Sequence, residues 1–285
     1  MIYQVYKGSF VMKFIETTLW QGAKEKCVTF SYDDGRIEDI RLVEMFNKYG
    51  LKGTFHLNNP GFEEHFPHFL KDPEFVSPED YKTLYACHEV SCHAAQHPFL
   101  YYTPDEYIRR EIRENRIFLE EKCGYPVRGM SYPFSCYDQR VIDNCRAEGM
   151  EYSRTVAATN GFGIPSDFMR WDPTCHHAAF TDELWEKFNS PMLFDFMRLF
   201  YIWGHSYEFA TEEHWEAMEH LCKTVSGDDS VWYATNIEIY DYLMAVRSLR
   251  FSANCDIVYN PTAIDVWIKC DHKPVCIPAG KTVTL

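Results

Sequence analysis

Between residues 28 and 250, short apolar runs alternate repeatedly with stretches of helical spacing, and this alternation limits the chain to few folds. After Gly35, the segment "RIEDIRLVEMFNKYG" places Ile37, Ile40, Val43 and Phe46 on one stripe. Leu42, Met45 and Tyr49 widen it, and Gly50 is a natural stop. "LKGTFHLN" then reads as a strand. Ser77-Pro78-Glu79-Asp80 and Thr103-Pro104-Asp105-Glu106 each open a helix with a cap, an early proline and early acids. "CHEVSCH", "VRGMSYP", "EYSRTV", "FMRW", "RLFYIWG" and "VWYAT" read as further strands. Helices are expected at "YDQRVIDNCRAEG", near "TDELWEKF", after Thr211 and at "NIEIYDYLMAVRSL". Parallel strands need crossover connections, and such helices supply them. The pattern predicts an α/β fold, most economically a closed or nearly closed (β/α) barrel of about seven parallel strands. An open doubly wound sheet is the alternative.

From about Ser252 the pattern changes to short alternating runs broken by Asn-Pro, Asp-His-Lys-Pro and Gly. Residues 1–251 are therefore expected to form the barrel, and 252–285 a small β extension packed on it.

The net charge of −14 argues against a nucleic-acid backbone or an anionic membrane as partner. No run approaches the roughly 20 apolar residues of a membrane span. The richest stretch, 192–204, is broken by Asp195 and Arg198. The N-terminus lacks the apolar core of an export signal, and the 11 cysteines show no CxxC spacing. Together these features predict a cytoplasmic protein with reduced, packed thiols.

In a parallel barrel the chemistry lies at the carboxyl ends of the strands. The first strand ends in Asp33, Asp34 and Gly35. Two like charges about 4 Å apart repel by roughly 4 kcal/mol at an effective dielectric of 20. Asp-Gly is ordinary turn chemistry, so a solvated turn is one reading. The other is a cation that uses one acid as ligand and leaves the second as a base. The third strand ends in "SCHAAQHP", where His93 and His97 stand four apart, as on one face of a helical turn. Two histidines and a carboxylate form a common catalytic metal site.

These residues resemble the motifs of the polysaccharide deacetylases with a NodB-homology domain. Ser31-Tyr32-Asp33-Asp34-Gly35 is similar to the family's Thr-Phe-Asp-Asp-Gly. Cys87-His88-Glu89 followed by His93-Ala94-Ala95-Gln96-His97 is similar to its His-Ser/Thr-x-x-His segment. Ser131-Tyr132-Pro133-Phe134 matches the Arg-x-Pro-Tyr segment, and "FYIWGHS" with His205 matches the last motif. The resemblance spans residues 28 to about 206 and implies a distorted barrel. It also implies a divalent metal held by Asp34, His93 and His97, with Asp33 as general base and His205 as general acid. The Phe134 backbone N–H would line the oxyanion hole. Zinc is the expected ion; cobalt, nickel or iron suit the same donors.

The sequence departs from the family pattern in two places that matter. Ala94 replaces a hydroxyl residue that could brace the loop, and no arginine directly precedes Pro133. Arg170, in "FMRW", is therefore expected to reach Asp33 and steady its charge. Tyr132, Pro133, Trp171 and Trp203 are the candidate substrate-binding residues. His176 and His177 either line the pocket or cap the following helix, with the cap favoured. His56 and Asn58 are further candidates to touch substrate, whereas His88 is expected to pack beside the barrel.

The function so implied is metal-dependent hydrolysis of acetyl groups, first of N-acetyl groups on an amino-sugar glycan. An O-acetyl ester or a small non-sugar amide could use the same site. A non-catalytic carbohydrate-binding protein on the same barrel is the reading from another class. A zinc hydrolase of an unrelated barrel family is a third; it predicts a second ion with His176 or His177 as added ligands.

Overall fold

A computed structural model describes residues 13–62, 74–191 and 196–285. Residues 1–12, which carry most of the stretch read for an export signal, and 192–195 of the apolar stretch lie outside them. No described helix is long and apolar enough to cross a membrane. Contacts group the chain into two compact units. One is residues 26–240; the other joins the described residues before 26 to 241–285.

A short strand, β1 (Ile15–Glu16), precedes the barrel. The barrel strands are β2 (Lys26–Asp33), β3 (Gly53–Leu57), β4 (Glu89–Cys92) and β5 (Gly129–Ser131). They continue as β6 (Tyr152–Arg154), β7 (Cys175–His176), β8 (Arg198–His205) and β9 (Val231–Tyr233). Seven lie in the order β6-β5-β4-β3-β2-β8-β7, with β9 also paired to β2, and every pairing is parallel. The expected parallel α/β barrel is thus present, as a distorted and incompletely closed one.

The distortion centres on β2. On one side it pairs with β8 along its whole length, from Lys26 opposite Arg198 to Asp33 opposite His205. On the other side its first half pairs with β9 and its second half with β3. All eight residues of β2 are buried, as expected for a strand covered on both faces. β6 and β7 are the two ends of the strand order. In the chain between them, Trp171 N–H donates to Ser153 O of β6 at 3.0 Å, and Thr174 N–H donates to Tyr201 O of β8 at 2.8 Å.

The crossovers include α1 (Asp39–Tyr49), α2 (Tyr81–Leu84), α3 (Asp105–Cys123) and α4 (Gln139–Ala147). Then come α5 (Asp182–Asn189) and α6 (Glu212–Val225); α7 (Asn236–Ser248) follows the last barrel strand and is not a crossover. α1 buries Leu42, Val43, Met45 and Phe46 and leaves Ile40 at the surface, so its core face is rotated from the stripe first read. Gly50 ends it in the left-handed conformation. The start signal at Ser77-Pro78 yields only the single turn of α2. "FMRW" is not a strand: residues 168–170 form a 3-10 turn capped by Asp167, and only Trp171 bridges to the sheet.

In the other unit, β10 (Arg250–Phe251), β11 (Ile257–Tyr259), β12 (Val266–Cys270), β13 (Lys273–Ile277) and β14 (Thr282–Thr284) form two small antiparallel sheets. β1 pairs with β12, from about 250 residues earlier in the chain. The core of this unit is Ala245, Val258, Val266, Ile268 and Ile277.

Candidate active site

The carboxyl end of each strand from β2 to β8 delivers a polar residue to one mouth. In chain order these are Asp33, Asn58, His93, Ser131, Arg154, His176 and His205. β2 ends because Asp34 adopts φ 78° and Gly35 φ 65°, which turns the chain away from the sheet. A Cβ on Gly35 would lie 2.9 Å from the end of the Leu57 side chain, which would have to shift.

Asp34 Oδ1 lies 3.6 Å from His93 Nε2 and 3.7 Å from His97 Nε2, and the two nitrogens are 3.1 Å apart. The point equidistant from corners so spaced is about 2.0 Å from each, the bond length of zinc to imidazole or carboxylate. Asp34 Oδ1 is buried and has no hydrogen-bond partner. His93 Nδ1 faces the Ser131 carbonyl at 2.9 Å, which fixes the proton there and leaves the Nε2 lone pair inward. Burial holds both histidines neutral, with pKa values pushed down to about 4. Burial, aided by Asp33, pushes the Asp34 carboxyl up, against the pull of His93. The donor set therefore fits a divalent cation.

The histidines do not meet on a helical turn. Ala94 at φ 61° and His97 at φ 51° fold residues 93–97 into a tight loop over the end of β4. Three polar side chains brace it. Asn58 Nδ2 donates to His93 O and Ala94 O at 2.7 and 2.8 Å, and Asn115 Oδ1 accepts from His93 N–H. Glu111 Oε2 accepts from Gln96 N–H at 2.7 Å. These bonds hold the loop without a hydroxyl at position 94. Asn58 and His56 are buried, so both act beneath the mouth rather than on its surface.

Asp33 sits beside this triangle, 3.8 Å from His93 Nε2. Its Oδ2 is ion-paired with Arg154 Nη2, and Oδ1 accepts from Ser131 Oγ at 3.0 Å. Burial alone would raise its pKa; the Arg154 guanidinium and neighbouring histidines outweigh it and hold the carboxyl well below the usual range. Arg154 is itself buried, with Nε donating to Ser31 Oγ and the guanidinium over the Trp203 ring at 4.5 Å.

Arg170 does not reach Asp33. It is exposed and binds Asp167 and Gln139, because the 3-10 turn directs it outward. Arg154, which the sequence reading did not single out, holds the position expected of Arg170. The available signal was an arginine at the end of the strand "EYSRTV", where a barrel side chain faces the mouth.

His205 is held from behind by Glu208. Its backbone N–H donates to Glu208 Oε2 at 3.1 Å, and its Nδ1 faces Oε1 at 3.3 Å. Burial would lower its pKa, but Glu208, Asp34 and Asp33 together raise it. His176 caps the turn at 177–179 through Nδ1, as the cap reading expected, and its Nε2 also meets Glu208. Gly204 makes room for the neighbouring His177 ring: a Cβ there would lie 2.0 Å from His177 Nδ1.

A cavity of about 740 Å³ opens at the mouth, with Asp33, Asp34, His93, His97 and His205 in its wall. Phe62, Phe99, Tyr132, Phe134, Trp203 and Tyr207 form the aromatic part of that wall, and Arg36 and Glu38 reach its edge. Phe134 is about half exposed and stacks on Phe99 at 4.0 Å. Trp171 and Pro133 do not line the cavity. Trp171 is buried edge-on against Tyr152 and Tyr201, and Pro133 is buried at the start of a 3-10 turn. Tyr132 reaches the wall while its hydroxyl donates to Met169 O.

Residues 21–153 match the family model of polysaccharide deacetylases. This segment belongs to the polysaccharide deacetylase family. The match takes in Asp33, Asp34, His93, His97 and Phe134 and stops one residue before Arg154; His205 lies beyond it. No curated protein matches the chain. Among solved structures, a protein assigned as a polysaccharide deacetylase in Mycobacterium smegmatis aligns at a TM-score of 0.58 with 16% identity. The alignment covers 81% of this chain and 94% of the other, and supports the fold across the deacetylase segment and beyond. The Streptococcus pyogenes deacetylase PplD in complex with acetate aligns at 0.48 with 14% identity, covering 56% and 69%. A CE4 family pseudoenzyme from Bacillus anthracis aligns at 0.48 with 15% identity, covering 74% and 64%.

Proposed function

We propose that this member of the polysaccharide deacetylase family is a metal-dependent hydrolase that removes acetyl groups, first of all N-acetyl groups from an amino-sugar glycan. One observation carries the reading. Asp33, braced by Arg154, and His205, braced by Glu208, share a single cavity with the Asp34–His93–His97 triangle. The exposed aromatic wall at Phe99 and Phe134 is suited to the faces of sugar rings.

Asp34, His93 and His97 would hold a divalent cation, which when bound lowers the pKa of water and polarises the acetyl carbonyl. Asp33, kept ionised by Arg154, accepts the proton of the attacking water. Ser131 Oγ fixes the Asp33 carboxylate through Oδ1, leaving its orientation little freedom. The Phe134 backbone N–H would donate to the oxyanion that forms. His205 gives a proton from Nε2 to the departing amine, while Glu208 holds the other nitrogen. Without that proton the amine would be a very poor leaving group.

The test is acetate release under defined metal loading from N-acetylated oligosaccharides, O-acetylated sugars and small acetamides. Asp33→Asn should keep its metal and lose about 10²–10⁴-fold in rate. Asp34→Ala should lose the metal as well. Metal-loaded protein that binds glycans and releases no acetate from any substrate would instead be a binding protein on the same barrel.

A further inference from the structure

We propose that His176, Glu208 and His205 form a second divalent-cation site, weaker than the Asp34–His93–His97 triangle, whose occupation inhibits the enzyme. The three side chains come from the ends of β7 and β8 and the turn that follows β8. Their candidate ligand atoms all lie within 4.8 Å of one another. Glu208 Oε2 is 3.0 Å from His176 Nε2, and Oε1 is 3.3 Å from His205 Nδ1. His177 Nε2 approaches the same carboxylate at 3.4 Å. Behind this group a cavity of about 460 Å³ adds His214 and His220, with no lysine or arginine among the described residues of its wall. Imidazoles converging on one carboxylate, without a competing cation, suit zinc, copper, nickel or cobalt.

The two triads differ in how their histidines are prepared. His93 keeps its proton on Nδ1, against the Ser131 carbonyl, so Nε2 is ready to ligate. His176 Nδ1 instead accepts from Ala178 N–H at 3.2 Å, so its neutral ring carries the proton on Nε2. Ligation must move that proton to Nδ1 and give up the Ala178 bond, or turn the ring over. The cost should weaken the site about tenfold or more, the scale of losing a ligand histidine's outer partner. Inhibition follows from the function proposed above. An ion on His205 Nδ1 occupies the lone pair that a second proton needs, so the ring stays neutral and Nε2 is a poor acid.

Titration of the metal-free protein with Zn²⁺ and with Co²⁺, by calorimetry and by the visible cobalt spectrum, tests the site without substrate. Wild type should bind two equivalents, Asp34→Ala only the weaker one, and His176→Ala only the tighter one. Excess zinc should slow wild type about tenfold or more relative to its own one-equivalent rate, and leave that ratio near one in His176→Ala. A single equivalent in wild type, abolished by Asp34→Ala, overturns the proposal. So does a second equivalent that survives replacement of His176. His176→Gln, checked for native circular dichroism, replaces the alanine variant if that one does not fold. Should no substrate be turned over, the metal counts alone decide the site, so its failure is separable from failure of the function.

Discussion

At the amino end of the strands, Glu89 has both carboxylate oxygens occupied. Oε1 accepts from Tyr152 Oη at 2.7 Å, and Oε2 accepts from Thr54 Oγ1 at 2.9 Å and Ile237 N–H at 2.8 Å. Thr29 and Asn236 extend the same closed network. At the carboxyl end, Asp34 Oδ1 is also buried and has no hydrogen-bond partner. Backbone strain is distributed in the same way. Of the ten described non-glycine residues with positive φ, five are at this mouth: Asp34, Ala94, His97, Phe134 and Ser135. Such conformations cost of order 1–3 kcal/mol each and persist only where the surroundings impose them. The closed end therefore contributes stability, while the open end spends some of it to hold the Asp34, His93 and His97 donors in place.

Breaking the pair at the open end should have the largest effect. Arg154→Met leaves Asp33 buried and unpaired and should cost about 3–5 kcal/mol in urea unfolding. If stability is unchanged, the two ends do not differ as argued.

The closed end can be read by pH. Burial raises the Glu89 pKa to about 7 in spite of its hydrogen bonds. Its folded value lies above its unfolded one, so its contribution is fully present below about pH 4 and is lost as pH rises through 7. The stability of wild type minus that of Glu89→Gln should fall by about 3 kcal/mol between pH 4.5 and 7.5, then level off. A difference that stays flat over this range would mean that the buried carboxyl does not titrate there.

A smaller effect is expected beneath the open end. Asn115→Ala removes one brace of the His93 loop and should weaken metal binding about 10–100-fold, with little change in fold. Competition against a chelator measures this, and unchanged affinity would show that the loop holds itself. Arg170→Ala should have the least effect. Its contacts are exposed, so stability should move by no more than about 0.5 kcal/mol and acetate release should be unaffected.

Much of this was legible in the sequence. The alternation of strand and helix signals sufficed for the parallel barrel, because each signal is local: a cap, a stripe, a glycine stop. Asp33, Asp34, His93, His97 and His205 were also legible, since each ends or follows an apolar strand. The rotated face of α1 was not, because helical spacing alone left Ile40 and Met45 equally eligible for the core. Nor was the pairing of β1 with β12, because a two-residue strand has no periodicity to detect.

The sequence by itself determined which donors could gather at one mouth, through the order of strands and the residue that ends each. Only the tertiary structure decided which arginine meets Asp33, which asparagines brace the histidine loop, and that Glu208 stands behind His205. Arg154 and Asp33 are 121 residues apart, and their contact depends on the curvature of a sheet that brings the ends of β2 and β6 together. Local spacing carries no record of that curvature, because packing across the whole barrel produces it.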